Sequence, residues 1–352
     1  MSKNKNNDIF DDFFFTPQPK KSGKRILIKE TKLNEKQVGS SLHARVTMII
    51  SKSIFVSTKD GQIYNVTISG VLISEHSHSS IVAVGDFVLI KPNLGYFTEE
   101  GIPIATIIKI EPRTKVFSRK ANGYLPYEQI LASNISDVLI LSSVSSPVFN
   151  TRLIDRILIV SELNNLRPAI CINKYDLIEK DKQSISMLNE SFEIYRAYGI
   201  PLFTISVTKN YNIAQLIDYL KGKETVLIGQ SGVGKSSLIN LLFGEELQKV
   251  NQISSQTQKG KHTTSFISLF NYNNDEFKLI DTPGIREFGI WGLDKQDLSF
   301  YFPEFSSFSN QCRYQPCSHT HEPDCKVIEA IENGEISRER YQSYLNIYDS
   351  LD

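Results

Sequence analysis

One stretch constrains this chain more than any other: Gly229-Gln230-Ser231-Gly232-Val233-Gly234-Lys235-Ser236-Ser237. It follows the β-branched run Thr225-Val226-Leu227-Ile228, which reads as a buried strand. It precedes Leu238-Ile239-Asn240-Leu241-Leu242, which reads as a helix. Strand, G-x-x-x-x-G-K-S and helix, in that order, is the phosphate-binding P-loop in its required setting. The chemistry explains the residue types. Gly229, Gly232 and Gly234 let the backbone turn several N–H groups inward onto phosphate oxygens, where the helix N-terminus also favours an anion. Lys235 adds positive charge at the β- and γ-phosphates, and the Ser236 hydroxyl is a ligand for Mg²⁺. The stretch predicts a nucleotide-binding loop.

A second signature says which nucleotide. Ala169-Ile170-Cys171-Ile172 is an apolar strand running into Asn173-Lys174-Tyr175-Asp176. N-K-x-D at a strand end is a guanine reader: one carboxylate, Asp176, accepts from both the N1–H and the 2-amino group. Adenine lacks that pair of donors, so the wrong base leaves a buried charge unpaired. Asn173 is expected to hold the loops together and the Lys174 stem to lie along the base. Pro201–Val207 reads as another strand, and Ser206-Val207 stands where GTPases present a backbone amide to guanine O6. Val207 replaces the usual Ala there, a small departure because the backbone makes the contact.

Downstream, Phe277-Lys278-Leu279-Ile280 leads into Asp281-Thr282-Pro283-Gly284. This D-x-x-G predicts Asp281 in the Mg²⁺ shell and the Gly284 amide at the γ-phosphate. Between the two phosphate motifs, Gly260-Lys261-His262-Thr263-Thr264 supplies switch threonines, and Lys235, His262, Thr263 and Thr264 form the expected catalytic set. Many GTPases place a water-orienting Gln directly after D-x-x-G. Here that residue is Ile285, so slow intrinsic turnover is expected, with His262 as the nearest polar substitute.

The order of motifs is unusual. Asn173 precedes Gly229 by 56 positions, whereas an ordinary GTPase runs from the P-loop to N-K-x-D. Loops of a parallel sheet converge at one edge, so a site survives joining the old termini and cutting new ones. One consequence is that Asp281–Glu287 becomes the way out of the GTPase region and feeds into the C-terminal part of the chain.

That C-terminal part contains Cys312-x4-Cys317-x-His319-x5-Cys325. Three thiols and one imidazole form the closed tetrahedral set of a structural zinc site, with His321 a second candidate imidazole. Residues 326–352 read as helical, around Val327–Ile331 and Arg338–Tyr348, and residues 300–352 are expected to have a core of their own. Residues 294–352 carry five basic and eleven acidic side chains, which argues against an RNA-gripping face here.

The other end differs. Residues 1–40 lack useful periodicity and read as a flexible tail, with nine Lys/Arg against five Asp/Glu and an acidic-aromatic patch at Asp8–Phe15. Residues 43–113 change to five short strands with turns, including a hairpin signal at Lys59-Asp60-Gly61-Gln62. That pattern suggests a small OB-type barrel, a fold that often binds nucleic acid, and residues 43–120 carry a mild basic excess. Net charge over the 352 residues is +0, so any RNA affinity must come from local patches. Four cysteines, no long apolar run and a polar N-terminus exclude a disulfide framework and an ordinary membrane span, and predict a cytoplasmic protein.

These residues resemble the circularly permuted bacterial GTPases of small-ribosomal-subunit biogenesis, the RsgA or YjeQ family. The resemblance covers about 43–350: a barrel, N-K-Y-D before G-Q-S-G-V-G-K-S-S, G-K-H-T-T and D-T-P-G-I-R-E-F. It extends to Cys312, Cys317, His319, Glu322, Pro323 and Cys325, and so favours His319 over His321. It implies GTP hydrolysis stimulated by the 30S subunit, late maturation or checking of 16S rRNA, and one structural zinc, while Mg²⁺ with GTP is expected from Ser236 and Asp281. The expected architecture is multidomain α/β. It comprises a tail (1–40), an OB-type RNA-binding barrel (41–115), a permuted P-loop GTPase domain (116–292) and a zinc-binding helical domain (293–352). A monomer is expected. Two rivals are an ATP-dependent P-loop enzyme, against which N-K-Y-D argues, and an rRNA chaperone with a vestigial nucleotide site. Intact Lys235, Ser236, Asp281 and Gly284 argue against the second.

Overall fold

The computed structural model describes residues 41–70, 72, 79–121, 127–147, 149–244, 247, 266–284 and 288–351. The first strands alternate toward a shared interior: β1 (Leu42–Ile50), β2 (Ser53–Thr58), β3 (Ile63–Ile68), β4 (Phe87–Phe97) and β5 (Pro103–Ile110). β1, β2 and β3 pair antiparallel in sequence, β3 pairs parallel with β5, β5 antiparallel with β4, and β4 returns to β1. The sheet is thereby closed into a five-stranded barrel around Val46, Val56, Val66, Val88, Ile90, Ala105 and Ile107. The predicted turn forms: Gly61 takes φ +84°, and the Thr58 hydroxyl donates to Asp60 at 2.5 Å. The tail, residues 1–40, lies outside the described residues.

A hairpin that no sequence pattern predicts comes next, β6 (Val116–Lys120) with β7 (Glu128–Ser133). Then come β8 (Asp137–Ser143), α1 (Thr151–Leu163), β9 (Arg167–Asn173), α2 (Lys182–Ala197), β10 (Leu202–Thr204), α3 (Ile213–Leu220) and β11 (Glu224–Gly229). The helix α4 occupies residues 235–244, followed by β12 (Phe266–Tyr272) and β13 (Phe277–Asp281). Asn150 caps α1, its side chain accepting from Leu153 N. Strand order is β10-β9-β8-β11-β13-β12, with only β12 antiparallel to its neighbour. The central strands are apolar on both faces, as expected of a sheet covered by helices on each side.

The barrel and the α/β sheet are not merely adjacent. Met48, Ile49 and Ile50 of β1 pair with Ser268, Ile267 and Phe266 of β12, joining both into one eleven-stranded sheet. Arg45 of β1 reinforces the junction with two hydrogen bonds to Glu224, at 2.9 and 2.5 Å, and Lys278 reaches the same carboxylate at 3.4 Å. Glu224 opens β11 and Lys278 lies on β13, the strands that lead to the two phosphate motifs.

The last segment holds 3₁₀ turns at Lys295–Tyr301 and Pro303–Phe305, then α5 (Lys326–Glu332) and α6 (Arg338–Asp349). The expectation of a separate core here is not met. Phe302, Phe305, Tyr344 and Ile347 belong to the same buried cluster as Ile154, Ile157, Phe192 and Tyr195 of α1 and α2. The physical reason is that α6 lays its apolar stripe against α1, so each covers what the other would expose. A charged knot sits in this seam: Arg340 contacts Asp155 and donates to Glu304 at 2.8 Å. Tyr195 and Tyr198 donate to the same two carboxylates at 3.0 and 2.7 Å. No described helix is long and apolar enough to cross a membrane.

Candidate nucleotide site and Cys₃His centre

The P-loop leaves β11 at its C-terminal end, where β8 and β9 also end, so the base motif and the phosphate motif meet at one sheet edge. Asn173 is the clasp between them. Its Nδ2 donates to Val233 O at 3.0 Å, and its Oδ1 accepts from Val207 N at 3.1 Å. Gly234 makes this possible: it takes φ +101°, and a Cβ there would lie 2.3 Å from Asn173 Nδ2. Three segments far apart in the chain are thus held by one amide.

Asp176 is pre-aimed. Ser206 Oγ donates to its Oδ1 at 2.5 Å, while Ser206 in turn accepts from Lys209 N at 3.1 Å. Thr208, which no sequence motif singles out, approaches Oδ2 at 3.5 Å. Lys174 stands at φ +64° and donates to the carbonyls of Ser145 and Ser146 at 3.1 and 2.6 Å, fixing its stem. Those two residues are likewise silent in the sequence; they act through backbone oxygens, which leave no side-chain signature. Tyr175 stacks on Tyr211 with ring centroids 5.8 Å apart.

On the phosphate side, Lys235 donates to Gly229 O and Gln230 O at 2.7 and 3.0 Å, folding its ammonium back over its own loop. Ser236 and Ser237 open the helix α4 with exposed side chains, and Gln230, Ser231 and Gly232 form the rim. Gly284 packs against this loop: a Cβ on it would lie 3.0 Å from Ser231 Cα. The Thr282 hydroxyl donates to Leu227 O at 2.9 Å, anchoring the loop to β11. Burial pushes the Asp281 carboxyl up to about 7, with the Lys235 ammonium pulling the other way. Burial likewise lowers the Lys235 ammonium, opposed by Asp281. Among the described residues, Asp281 Oδ1 is buried without a hydrogen-bond partner. A buried carboxylate oxygen lacking a donor fits a divalent cation, and Ser236 and Asp281 are the residues that would hold Mg²⁺. His262, Thr263, Thr264 and Ile285 lie outside the described residues.

The second centre is the Cys₃His cluster. Cys312 Sγ lies 3.8 Å from Cys325 Sγ and 3.7 Å from His319 Nδ1, which is 3.4 Å from Cys325 Sγ. All four ligand atoms, Cys317 Sγ included, fall within 4.8 Å of one another. A tetrahedron with Zn–S about 2.3 Å and Zn–N about 2.0–2.1 Å has edges of about 3.5–3.8 Å, so the residues fit a metal. His319, not His321, faces the cluster; His321 is exposed with Nδ1 on Thr320. Glu322 shapes the ligand loop by accepting from the backbone N–H of Ser318, Thr320 and His321, which holds its pKa down at about 2 against burial. Tyr341 and Tyr344 of α6 donate to His319 O and Ser318 O at 2.8 and 2.6 Å. The cluster therefore pins α6 as well as its own loop.

Fold and site together define a P-loop GTPase whose base-reading segment precedes its phosphate loop in the chain, followed by a Cys₃His centre fit for a metal. A family model described as RsgA GTPase matches residues 110–291. The chain belongs to the RsgA GTPase family. It is 37% identical over 319 residues to the small ribosomal subunit biogenesis GTPase RsgA of Chlorobaculum parvum, covering 90% of this chain and 100% of that protein. A Borreliella burgdorferi protein of the same name is 43% identical over 224 residues, covering 63% and 70%. Among solved structures, YjeQ from Thermotoga maritima matches with TM-score 0.62 at 27% identity, over 88% of this chain and 98% of that one.

Proposed function

We propose that this chain binds the immature 30S subunit in its GTP state, assists late maturation or checking of 16S rRNA, hydrolyses GTP to GDP and phosphate, and then dissociates. The observation that carries the reading is the Asn173 clasp, which assembles a guanine-type pocket and a phosphate loop despite their reversed order. Asp176, aimed by Ser206, reads the guanine edge; the Ser206-Val207 turn, held by Asn173 through the Val207 amide, borders the base; Lys174 and Tyr175 frame it. The amides of Gly229–Ser237, with Lys235, hold the phosphates. Mg²⁺ on Ser236 and Asp281 would supply positive charge at the β- and γ-phosphates. Zinc, held by Cys312, Cys317, His319 and Cys325, is structural because the set leaves no open position. The boundaries at 40, 115 and 292 mark tail, RNA-binding barrel, GTPase domain and zinc domain. The barrel's role is supported by the exposed Tyr96 and Phe97 at the end of β4, a stacking surface for bases. We read the protein as a cytoplasmic monomer.

Two assays test the reading. Hydrolysis measured with and without 30S subunits should rise with 30S. Co-sedimentation with 30S, 50S and 70S particles should show 30S binding with a non-hydrolysable GTP analogue and weaker binding with GDP. Unstimulated hydrolysis together with nucleotide-blind sedimentation would overturn it.

The base assignment has its own test. Asp176→Asn replaces an acceptor with a donor at the guanine edge, so GTP binding should weaken by about 2–4 kcal/mol, with xanthosine triphosphate partly rescued. Equal GTP affinity in variant and wild type contradicts the assignment. For the metal, purified protein should hold about one zinc per chain. Cys317→Ala should release it and lower the unfolding midpoint of the whole chain, because the core is shared. Zinc-free protein with its cysteines paired as disulfides would rule the metal out.

A further inference from the structure

Residues 285–287 separate two fixed points. On one side, Gly284 is pressed against Ser231 of the P-loop. On the other, residues 288–290 are held from three directions. Lys120 N donates to Gly289 O at 2.9 Å, the Phe288 ring lies 5.5 Å from Phe117, and Arg156 Nη1 reaches Phe288 O at 3.4 Å. The same Nη1 donates to Ser350 Oγ at 2.9 Å, and Nη2 donates to Asn346 O at 3.1 Å, both at the C-terminal end of α6. One guanidinium on α1 therefore touches the way out of the D-x-x-G loop and the end of the last helix.

We propose that Arg156 is a positioning residue that ties the segment leaving Asp281–Gly284 to the end of α6, so that the bound nucleotide is read at the C-terminus. This rests on the GTPase reading above. A guanidinium is a rigid planar fork, and its other contacts are shorter than the 3.4 Å bond to Phe288 O. That long bond is the one a shift of a few tenths of an ångström makes or breaks. The Gly284 amide faces the γ-phosphate in this reading, and only three residues lie between it and Phe288. The two ends of Arg156 are otherwise unconnected in sequence, since α1 precedes the P-loop and α6 lies beyond the Cys₃His centre. Asp155, the next residue on α1, is locked to Arg340 of α6, so the frame carrying Arg156 does not slide.

The chain carries its own local reporter: Trp291, its only tryptophan, comes directly after this segment. The test uses the full chain with Mg²⁺ and either GDP or a non-hydrolysable GTP analogue. It compares Trp291 emission with amide hydrogen exchange over residues 338–351. In wild type, both should differ between the two nucleotides, the exchange near Asn346–Ser350 by about threefold or more. In Arg156→Ala the exchange difference should vanish while the Trp291 difference and both nucleotide affinities persist. Arg156→Lys, a point charge without the fork, should restore less than half of it. If Arg156→Ala does not fold, Ser350→Ala removes one acceptor at the rim and should shrink the difference. An exchange difference that survives these changes, or is absent from wild type that binds nucleotide, overturns the inference. Wild type that binds neither nucleotide overturns the GTPase reading itself.

Discussion

Arg340→Ala is expected to lower the free energy of unfolding by about 3–5 kcal/mol, because it strips the counterion from a buried carboxylate. Asp155 is 1% exposed and Arg340 6%, so neither charge has water to fall back on. Arg340 also donates to Glu304 and lies 4.6 Å from the Phe302 ring. The truncation therefore leaves two carboxylates facing a cavity, still hydrogen-bonded by Tyr195 and Tyr198. The deficit should also depend on pH. Burial already raises the Asp155 carboxyl above the ordinary range, and Arg340 opposes that rise. Removing Arg340 lets it rise further, and a carboxyl raised in the folded state destabilises increasingly as pH climbs above its unfolded value. Urea unfolding at pH 5 and pH 8 should show the larger deficit at pH 8. A deficit below about 1 kcal/mol at both would place the knot with ordinary surface pairs.

His262→Ala should remove about 10²–10⁴ of the 30S-stimulated rate while leaving GTP-dependent 30S binding in place. Ile285 cannot hydrogen-bond to water, so the position that commonly carries Gln is chemically silent. The attachment of the segment bearing His262 supports the substitution. β12 begins at Phe266 and runs antiparallel to β13, with Ser268 opposite Asp281. The chain therefore enters β12 at the same end at which β13 delivers D-x-x-G. Stimulated hydrolysis that survives the substitution would hand the water-positioning role to rRNA or a ribosomal protein.

The site was legible because its chemistry is written in side-chain types at fixed spacing. N-K-Y-D, G-Q-S-G-V-G-K-S-S and D-T-P-G each come after a buried apolar strand, and each strand lies where its apolar run placed it. Asn173 lies between the loops as expected, and His319 rather than His321 joins the cysteines. The β6–β7 hairpin was invisible for a physical reason. Ser118, Gln129 and Ser133 are buried there, so its inward face carries polar side chains that no hydrophobic pattern registers. Arg119 Nε satisfies Gln129 at 2.7 Å, and Ser133 Oγ finds Val84 O, partners that only the folded chain supplies. The far end of β4 is equally silent in the sequence: Leu94, Tyr96 and Phe97 are exposed, the reverse of a core-facing repeat. Ser145 and Ser146 work through backbone oxygens toward Lys174, as do Phe288 and Asn346 toward Arg156, and a sequence does not advertise these.

The pairing of β1 with β12 sets a schedule on the ribosome that makes this protein. Ile50 leaves the peptidyl transferase centre 216 residues before Phe266. At about 5–20 residues per second, β1 waits about 10–40 s for the strand that completes its edge. Its early partners β2 and β4 close the barrel along Leu42–Arg45 but leave Met48-Ile49-Ile50 open on the β12 side. That open tripeptide is apolar, β-branched at two of three positions, and buried once β12 arrives. Nascent chains stalled between β5 and β12 should therefore present this edge to chaperones, and chains stalled after β13 should not.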